Sequence, residues 1–186
     1  MGFHTFPTER ADNLEDVARF RFCSREELVS LLDVDADAVV ADLGSGTGFY
    51  TREVAPFVGT LYAVDLQPEM HDHHREHGVD DNVELLTSGI DSLPFEDDEL
   101  DGAFSTMTHH EYATDEALAE LARVIGPGGR LVTVDWSADG DGTDGPAVDE
   151  RFTTAEVSDQ LEAAGFEIVD AHVRPETMVV VARVAE

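Results

Sequence analysis

The chain has 186 residues, 42 % of them apolar, which is enough for one domain with a proper core. Its 41 acidic residues face only 11 basic ones, all arginine, for a formal net charge of −30. No basic stripe is available to neutralise phosphates, so nucleic acid is not an expected partner, and the periodic apolar content argues against a disordered acidic chain.

Residues 1–12 are expected to be irregular. Asn13 to Phe20 reads as a short helix with Leu14, Val17 and Ala18 on one face. Ser24 opens a second helix and has Glu27 three residues on, a capping box; Leu28, Leu31 and Leu32 form its apolar face. A strand follows over about 38–43, then a glycine turn and a helix from Thr51 to Phe57. Leu61 to Val64 is a short apolar strand ending in Asp65. Pro68 opens a helix that runs to His77 and closes at Gly78.

Val83 to Leu86 and Gly102 to Thr106 are the next strands. The run from Thr114 to Ile125 has helical spacing and is stopped by Gly-Pro-Gly-Gly at 126–129. Arg130 to Trp136 is a fifth strand. Residues 137–150 read as an acidic loop. Thr153 with Glu156 is another capping box, opening a helix to Ala164. Two last strands, Glu167–Val173 and Met178–Val184, flank a short connection and so form an antiparallel hairpin. Alternating strand and helix predict an α/β fold with a doubly wound, mostly parallel Rossmann-like sheet.

The chemistry is concentrated in Ala-Asp-Leu-Gly-Ser-Gly-Thr-Gly-Phe-Tyr-Thr, residues 41–51. Gly44, Gly46 and Gly48 alternate between a buried strand and a helix start, so the main chain can approach a ligand closely. A dinucleotide turn wants G-x-G-x-x-G; here Phe49 stands at the third glycine, and Asp42 precedes the first by two residues. Asp65, at the end of the second strand, lies where open α/β sheets bind ligands.

Four spaced segments, Asp-Leu-Gly-Ser-Gly-Thr-Gly, the Val-Asp at 64–65, Leu-Pro-Phe-Glu-Asp-Asp-Glu-Leu-Asp at 93–101 and Ala-Arg-Val-Ile-Gly-Pro-Gly-Gly-Arg-Leu at 122–131, carry a resemblance. In this order they resemble class I S-adenosylmethionine-dependent methyltransferases of the small-molecule, ubiquinone-biosynthesis-like type. The resemblance covers about 37–186 and implies a seven-stranded sheet in which the final hairpin supplies the one antiparallel strand. It implies one methyltransferase domain, with residues 1–36 as helices covering the site and 37–186 as the core.

The resemblance also implies the site. Asp42, Gly44, Ser45, Gly46, Thr47 and Gly48 would hold S-adenosylmethionine with Asp65, Leu66, Gly89, Ile90 and Ser105, leaving S-adenosylhomocysteine as product. Asp65 would accept from both ribose hydroxyls. The family often has an aspartate where Gly89 stands, so adenine would be held by the backbone of Gly89 and Ile90, with Ser88 or Asp91 assisting. His109 and His110 are the candidate catalytic groups, as acceptors of a proton or as shapers of the pocket. Glu111, Tyr112 and Trp136 are the candidate substrate contacts. A non-catalytic S-adenosylmethionine-binding protein and a nicotinamide-dependent oxidoreductase are the alternative readings.

Four histidines, His71, His73, His74 and His77, share the helix after Asp65 and read as a solvated polar face; no metal site is expected. The single cysteine, Cys23, excludes an internal disulfide. No apolar run reaches the ~18 residues of a membrane span, and the first ten residues have no apolar signal region, so a cytoplasmic protein is expected. The charge is expected to suit molar salt, where screening acts over about 3 Å. The acceptor is expected to be a small molecule, and the protein a monomer or homodimer.

Overall fold

The computed structural model describes residues 5–185. Seven strands form one sheet in the order β3-β2-β1-β4-β5-β7-β6. They are β1 (Val39–Leu43), β2 (Thr60–Asp65), β3 (Val83–Thr87), β4 (Leu100–Thr106), β5 (Ile125–Trp136), β6 (Phe166–Val173) and β7 (Thr177–Val184). The pairings β3-β2-β1-β4-β5 are parallel, and β7 runs antiparallel to both β5 and β6. The fold expected from the sequence is therefore the fold observed.

Alternation along the strands builds two cores. Val40, Leu61, Phe104, Val132 and Val181 pack with Leu28 and Leu32 of α1 (Arg25–Leu32) and with Tyr50 and Val54 of α2 (Phe49–Val54). On the other face, Leu43, Val64, Leu131 and Val180 pack with Leu118 and Leu121 of α5 (Asp115–Val124) and with Val157 and Leu161 of α6 (Thr154–Ala163). Successive side chains point to opposite faces, so a strand buried on both sides must be apolar throughout. The buried carboxylates of the parallel strands fall near their carboxyl ends.

Several local expectations are corrected. The segment from Asn13 to Phe20 is not an α-helix: two 3-10 stretches, Thr8–Glu15 and Val17–Arg21, meet at Asp16. Asp16 is extended, and its carboxylate accepts from the Ala18 N–H at 2.8 Å, which restarts the chain. Irregular structure over 1–12 therefore gives way at Thr8, and residues 1–4 lie outside the described residues. Only half of the Ser24 capping box forms: Ser24 Oγ accepts from Glu27 N–H at 3.2 Å, while the Glu27 carboxylate is taken by Arg174. Gly-Pro-Gly-Gly does not simply end a helix. Pairing with β4 starts at Ile125 opposite Leu100 and resumes at Arg130 opposite Gly102, so the tetrapeptide is an irregularity within β5.

The acidic loop at 137–150 is held by two buried groups. Arg151 donates to the carbonyls of Ser137 (3.3 Å), Pro146 (2.8 Å) and Asp144, and lies over the Trp136 ring at 5.6 Å. Glu176 accepts from the N–H groups of Gly142 and Thr143 at 3.1 and 3.0 Å. Arg151→Ala removes several charge-assisted hydrogen bonds, each worth about 1.5–3 kcal/mol. A thermal midpoint lower by about 5 °C or more is expected, with faster proteolysis confined to the loop. An unchanged midpoint and digestion pattern would show that the loop is ordered by other means.

Candidate active site

Three strands end in a buried aspartate on the same edge of the sheet: Asp42 on β1, Asp65 on β2 and Asp135 on β5, exposed by 1 %, 8 % and 0 %. A carboxylate in such a place needs partners, and each finds a different set. These partners organise the site.

Asp65 fixes the glycine loop. Its Oδ2 accepts from Gly46 N–H at 2.8 Å and its Oδ1 from Gln67 N–H at 2.9 Å. Burial raises its pKa, opposed by those two N–H groups and by His71. The Gly44 and Ser45 N–H groups both donate to Val64 O at 2.9 Å, tying the turn to β2. Gly44, Gly46 and Gly48 all have positive φ, 72°, 55° and 81°. A Cβ on Gly44 would lie 2.3 Å from the Thr108 side chain, and one on Gly48 would lie 2.2 Å from His74 Nε2. The alternating glycines thus answer both a backbone requirement and close packing.

Asp42 lies beneath the loop. Thr51 donates to its Oδ2 at 2.6 Å, and its Oδ1 is buried with no partner. The Oγ atoms of Ser45 and Ser105 are likewise buried and unpartnered. Burial pushes the Asp42 carboxyl up to about 7, against the Thr51 hydrogen bond and the Arg19 charge, with Asp65 adding to the rise. The folded chain then holds a proton that the unfolded chain has released, so this group costs stability as pH rises from about 4 to about 7. Asp42→Asn should raise the thermal midpoint of the ligand-free protein most at about pH 8 and leave it nearly unchanged at or below about pH 4. Equal shifts at both pH values would place the Asp42 proton elsewhere.

The N-terminal segment closes over this edge. Leu14 lies against Gly46, Glu15 accepts from Thr47 Oγ1 and pairs with Arg52, and Phe6 O accepts from Gln67 Nε2 at 3.0 Å. Leu66 is 59 % exposed beside Asp65, an apolar surface left to solvent. After β3, Ser88 N–H donates to Asp65 O at 3.1 Å. The Asp91 carboxylate folds over Gly89, where a Cβ would meet it at 2.5 Å; Ile90 is buried.

After β4 the chain turns at Met107, whose φ of 61° is unusual for a residue with a side chain. The turn leads into the short helix α4 (His109–Tyr112). The two histidines then part. His109 is fully buried, packed edge-on against Tyr112 and Phe152 at 5.3 and 6.1 Å, with neither ring nitrogen partnered. Burial pushes it down to about 4, and both ring nitrogens are sealed in the core; of its two expected roles, shaping the pocket is the one this burial matches. Tyr112 also turns inward: its hydroxyl is buried, and burial raises its pKa.

His110 does face a functional partner. Its Nδ1 is 3.0 Å from both oxygens of Asp135, and its backbone N–H donates to Asp135 Oδ2 at 2.7 Å. Its Nε2 is 3.9 Å from Glu111 Oε1. Burial alone would lower the imidazole pKa, but the Asp135 hydrogen bond and the charges of Asp135, Glu111 and Glu150 raise it overall. Glu111 is itself pushed up to about 7 by burial. The Trp136 ring is occupied by neighbours: Phe22 edge-on at 4.9 Å, Arg151 over it, and Gly145 tight against it. It docks the 137–150 loop.

Sequence reasoning missed Asp135, although it repeats the pattern of an apolar strand ending in aspartate. It also misread α3 (Pro68–His77). His71 and His74 are 2 % and 0 % exposed with all four ring nitrogens unpartnered, and are not a solvated face. They pack toward Asp65 and the glycine loop, and burial pushes His74 down to about 4. His73 and His77 stay near the surface, beside Glu76 and Glu15. Among the described residues, no group of three or more metal-ligating side chains converges.

Residues 41–133, half of the chain, match the family described as "Methyltransferase domain". The chain belongs to that family. In the solved structures it is similar to a SAM-dependent methyltransferase from Aquifex aeolicus, with 29 % identity, a TM-score of 0.88, and coverage of 97 % of this chain and 100 % of that one. It is 31 % identical to an uncharacterised methyltransferase-like protein of Schizosaccharomyces pombe over 66 % of this chain and 50 % of that protein. It is 32 % identical to the ubiquinone/menaquinone biosynthesis C-methyltransferase of Hahella chejuensis over 56 % of this chain and 45 % of that enzyme. The chain thus spans half or less of the length of these curated relatives. What it carries is an S-adenosylmethionine-dependent methyltransferase domain.

Proposed function

We propose that this protein transfers a methyl group from S-adenosylmethionine to a small-molecule acceptor by in-line displacement. The reading rests on the edge built by Asp42, Asp65 and the left-handed glycines, where Asp42 Oδ1, Ser45 Oγ and Ser105 Oγ are buried without partners. Unpartnered acceptors next to a carboxylate suit a ligand that brings an ammonium group and hydroxyl donors. When bound, S-adenosylmethionine supplies an electrophilic methyl group on a sulfonium sulfur. Asp65 and Leu66 would hold its ribose, the backbone of Gly89 and Ile90 its adenine, and residues 44–48 with Asp42 and Ser105 its amino-acid end.

The remaining work is alignment and exclusion of water, which can supply about 7–11 kcal/mol of the barrier. Of the segment expected as a cover, 1–36, the part through Glu15 would cover the site, while α1 packs into the core with residues 37–186. His110 and Glu111 would face the acceptor. The small-molecule assignment is supported by the C-methyltransferase named above and by a 24-methylenesterol C-methyltransferase of Arabidopsis thaliana at 28 % identity. The net charge of −30 fits a protein that works in a cytoplasm of molar salt.

Methyl-labelled donor, incubated separately with the small-molecule and macromolecular fractions of a cell extract in molar KCl, tests the reading. Label should pass to the small-molecule fraction. Label confined to protein or nucleic acid would overturn the acceptor class.

A further inference from the structure

Asp135 is the third strand-end aspartate, and the donor contacts proposed above leave it unused. Its side chain is fully buried, yet it accepts three N–H groups: His110 N–H at 2.7 Å, Trp136 N–H at 2.8 Å and, at 3.0 Å, the His110 ring. Two of these come from one residue, so both the backbone and the imidazole of His110 are fixed to the same carboxylate. With Nδ1 facing Asp135, the neutral ring carries its proton there, and the Nε2 lone pair is free. The nearest carboxylate oxygen to Nε2, on Glu111, lies at 3.9 Å, beyond hydrogen-bond reach. The His110 side chain is 12 % exposed, while its neighbour His109 is sealed in the core. Of the two adjacent histidines, only His110 combines an orienting partner with an open nitrogen.

The geometry points to Asp135 as a positioning residue that makes His110 Nε2 the general base of methyl transfer. This rests on the methyltransferase reading above and adds the acceptor's chemistry: a neutral hydroxyl of the phenol or enol type, which must lose a proton as it is methylated. The acceptor's nucleophilic atom, the oxygen or the enol carbon, forms the new bond to the methyl carbon as the carbon–sulfur bond breaks. The electron pair of that bond stays on sulfur, and the hydroxyl proton passes to His110 Nε2. The imidazolium then faces the Asp135 carboxylate until it releases the proton to solvent. An amine with a free lone pair, or an acceptor already anionic, would need no such base. The charged or titratable groups around the ring are Asp135 from β5, Glu111 and His109 from α4, and Glu150 from the 3-10 turn Val148–Glu150.

Histidine NMR titrations of the S-adenosylhomocysteine complex, with His110 assigned by His110→Gln, test the positioning role without any acceptor. In the wild type the His110 ring should titrate above the ordinary value of about 6.5 and carry its neutral proton on Nδ1. In Asp135→Asn it should titrate below that value, because burial remains while the carboxylate is gone. Label transfer to the small-molecule fraction should fall on the acid side of the wild-type profile. It should drop by about 10²-fold or more in His110→Gln, while both variants keep S-adenosylhomocysteine affinity. An unshifted His110 titration in Asp135→Asn, or a pH-independent rate barely altered in His110→Gln, would overturn the proposal. Wild-type protein that fails to bind S-adenosylhomocysteine would instead overturn the methyltransferase reading.

Discussion

Asp65→Ala should lose S-adenosylhomocysteine affinity by about 100-fold or more. Two losses add. On the proposed donor site the ribose hydroxyls would lose a carboxylate acceptor, and the Gly46 and Gln67 N–H groups lose the oxygens that hold them at 2.8 and 2.9 Å. Hydrogen bonds to a charged group are worth about 1.5–3 kcal/mol each, and each 1.4 kcal/mol is about tenfold in affinity. Asp65→Asn keeps one oxygen near the loop and should lose less. Calorimetry separates the cases: Asp65→Ala binding within about threefold of wild type would remove Asp65 from the donor site. The staple to the glycine turn would then be dispensable for binding as well.

The second large effect concerns salt. A net charge of −30 on 186 residues repels itself. The described ion pairs relieve little of this, and several are well exposed, such as Arg75–Asp72 with side chains 58 % and 75 % accessible. The Debye length falls from about 10 Å at 0.1 M to about 3 Å at 1 M, so the folded state should gain stability steeply over that range. The thermal midpoint should climb with KCl and the protein should loosen or unfold at low salt. A midpoint that stays flat across the range would mean that the acidic surface is spaced widely enough to fold without screening.

The parallel core was legible because its strands are short apolar runs, each closed by a polar residue or glycine. Val39–Leu43 and Thr60–Asp65 match their expected spans to within a residue or two. The final hairpin was equally legible from the short connection between two β-branched runs. The N-terminal segment was not: Asp16 offers its carboxylate to the backbone locally and breaks a helical period that otherwise looked continuous. The start of β5 was hidden by glycine and proline, which signal a stop more strongly than a strand irregularity.

The site divided in the same way. The glycine turn and Asp65 could be read because backbone conformation and strand-end position constrain residue type. His71 and His74 could not, since an inward helix face built from Met70, His71 and His74 carries almost no apolar signal. The difference between His109 and His110 was also invisible. Adjacent residues on one turn face different ways, and only the tertiary partner, Asp135, distinguishes the open ring from the sealed one.

The central claim, that the edge formed by Asp42, Asp65 and the glycine loop receives S-adenosylmethionine, is tested most directly by calorimetric titration of the wild-type protein in molar KCl. S-adenosylhomocysteine and NAD are the two ligands. Binding of S-adenosylhomocysteine, with no heat from NAD, is the expected result. Binding of NAD with none of S-adenosylhomocysteine would contradict the account.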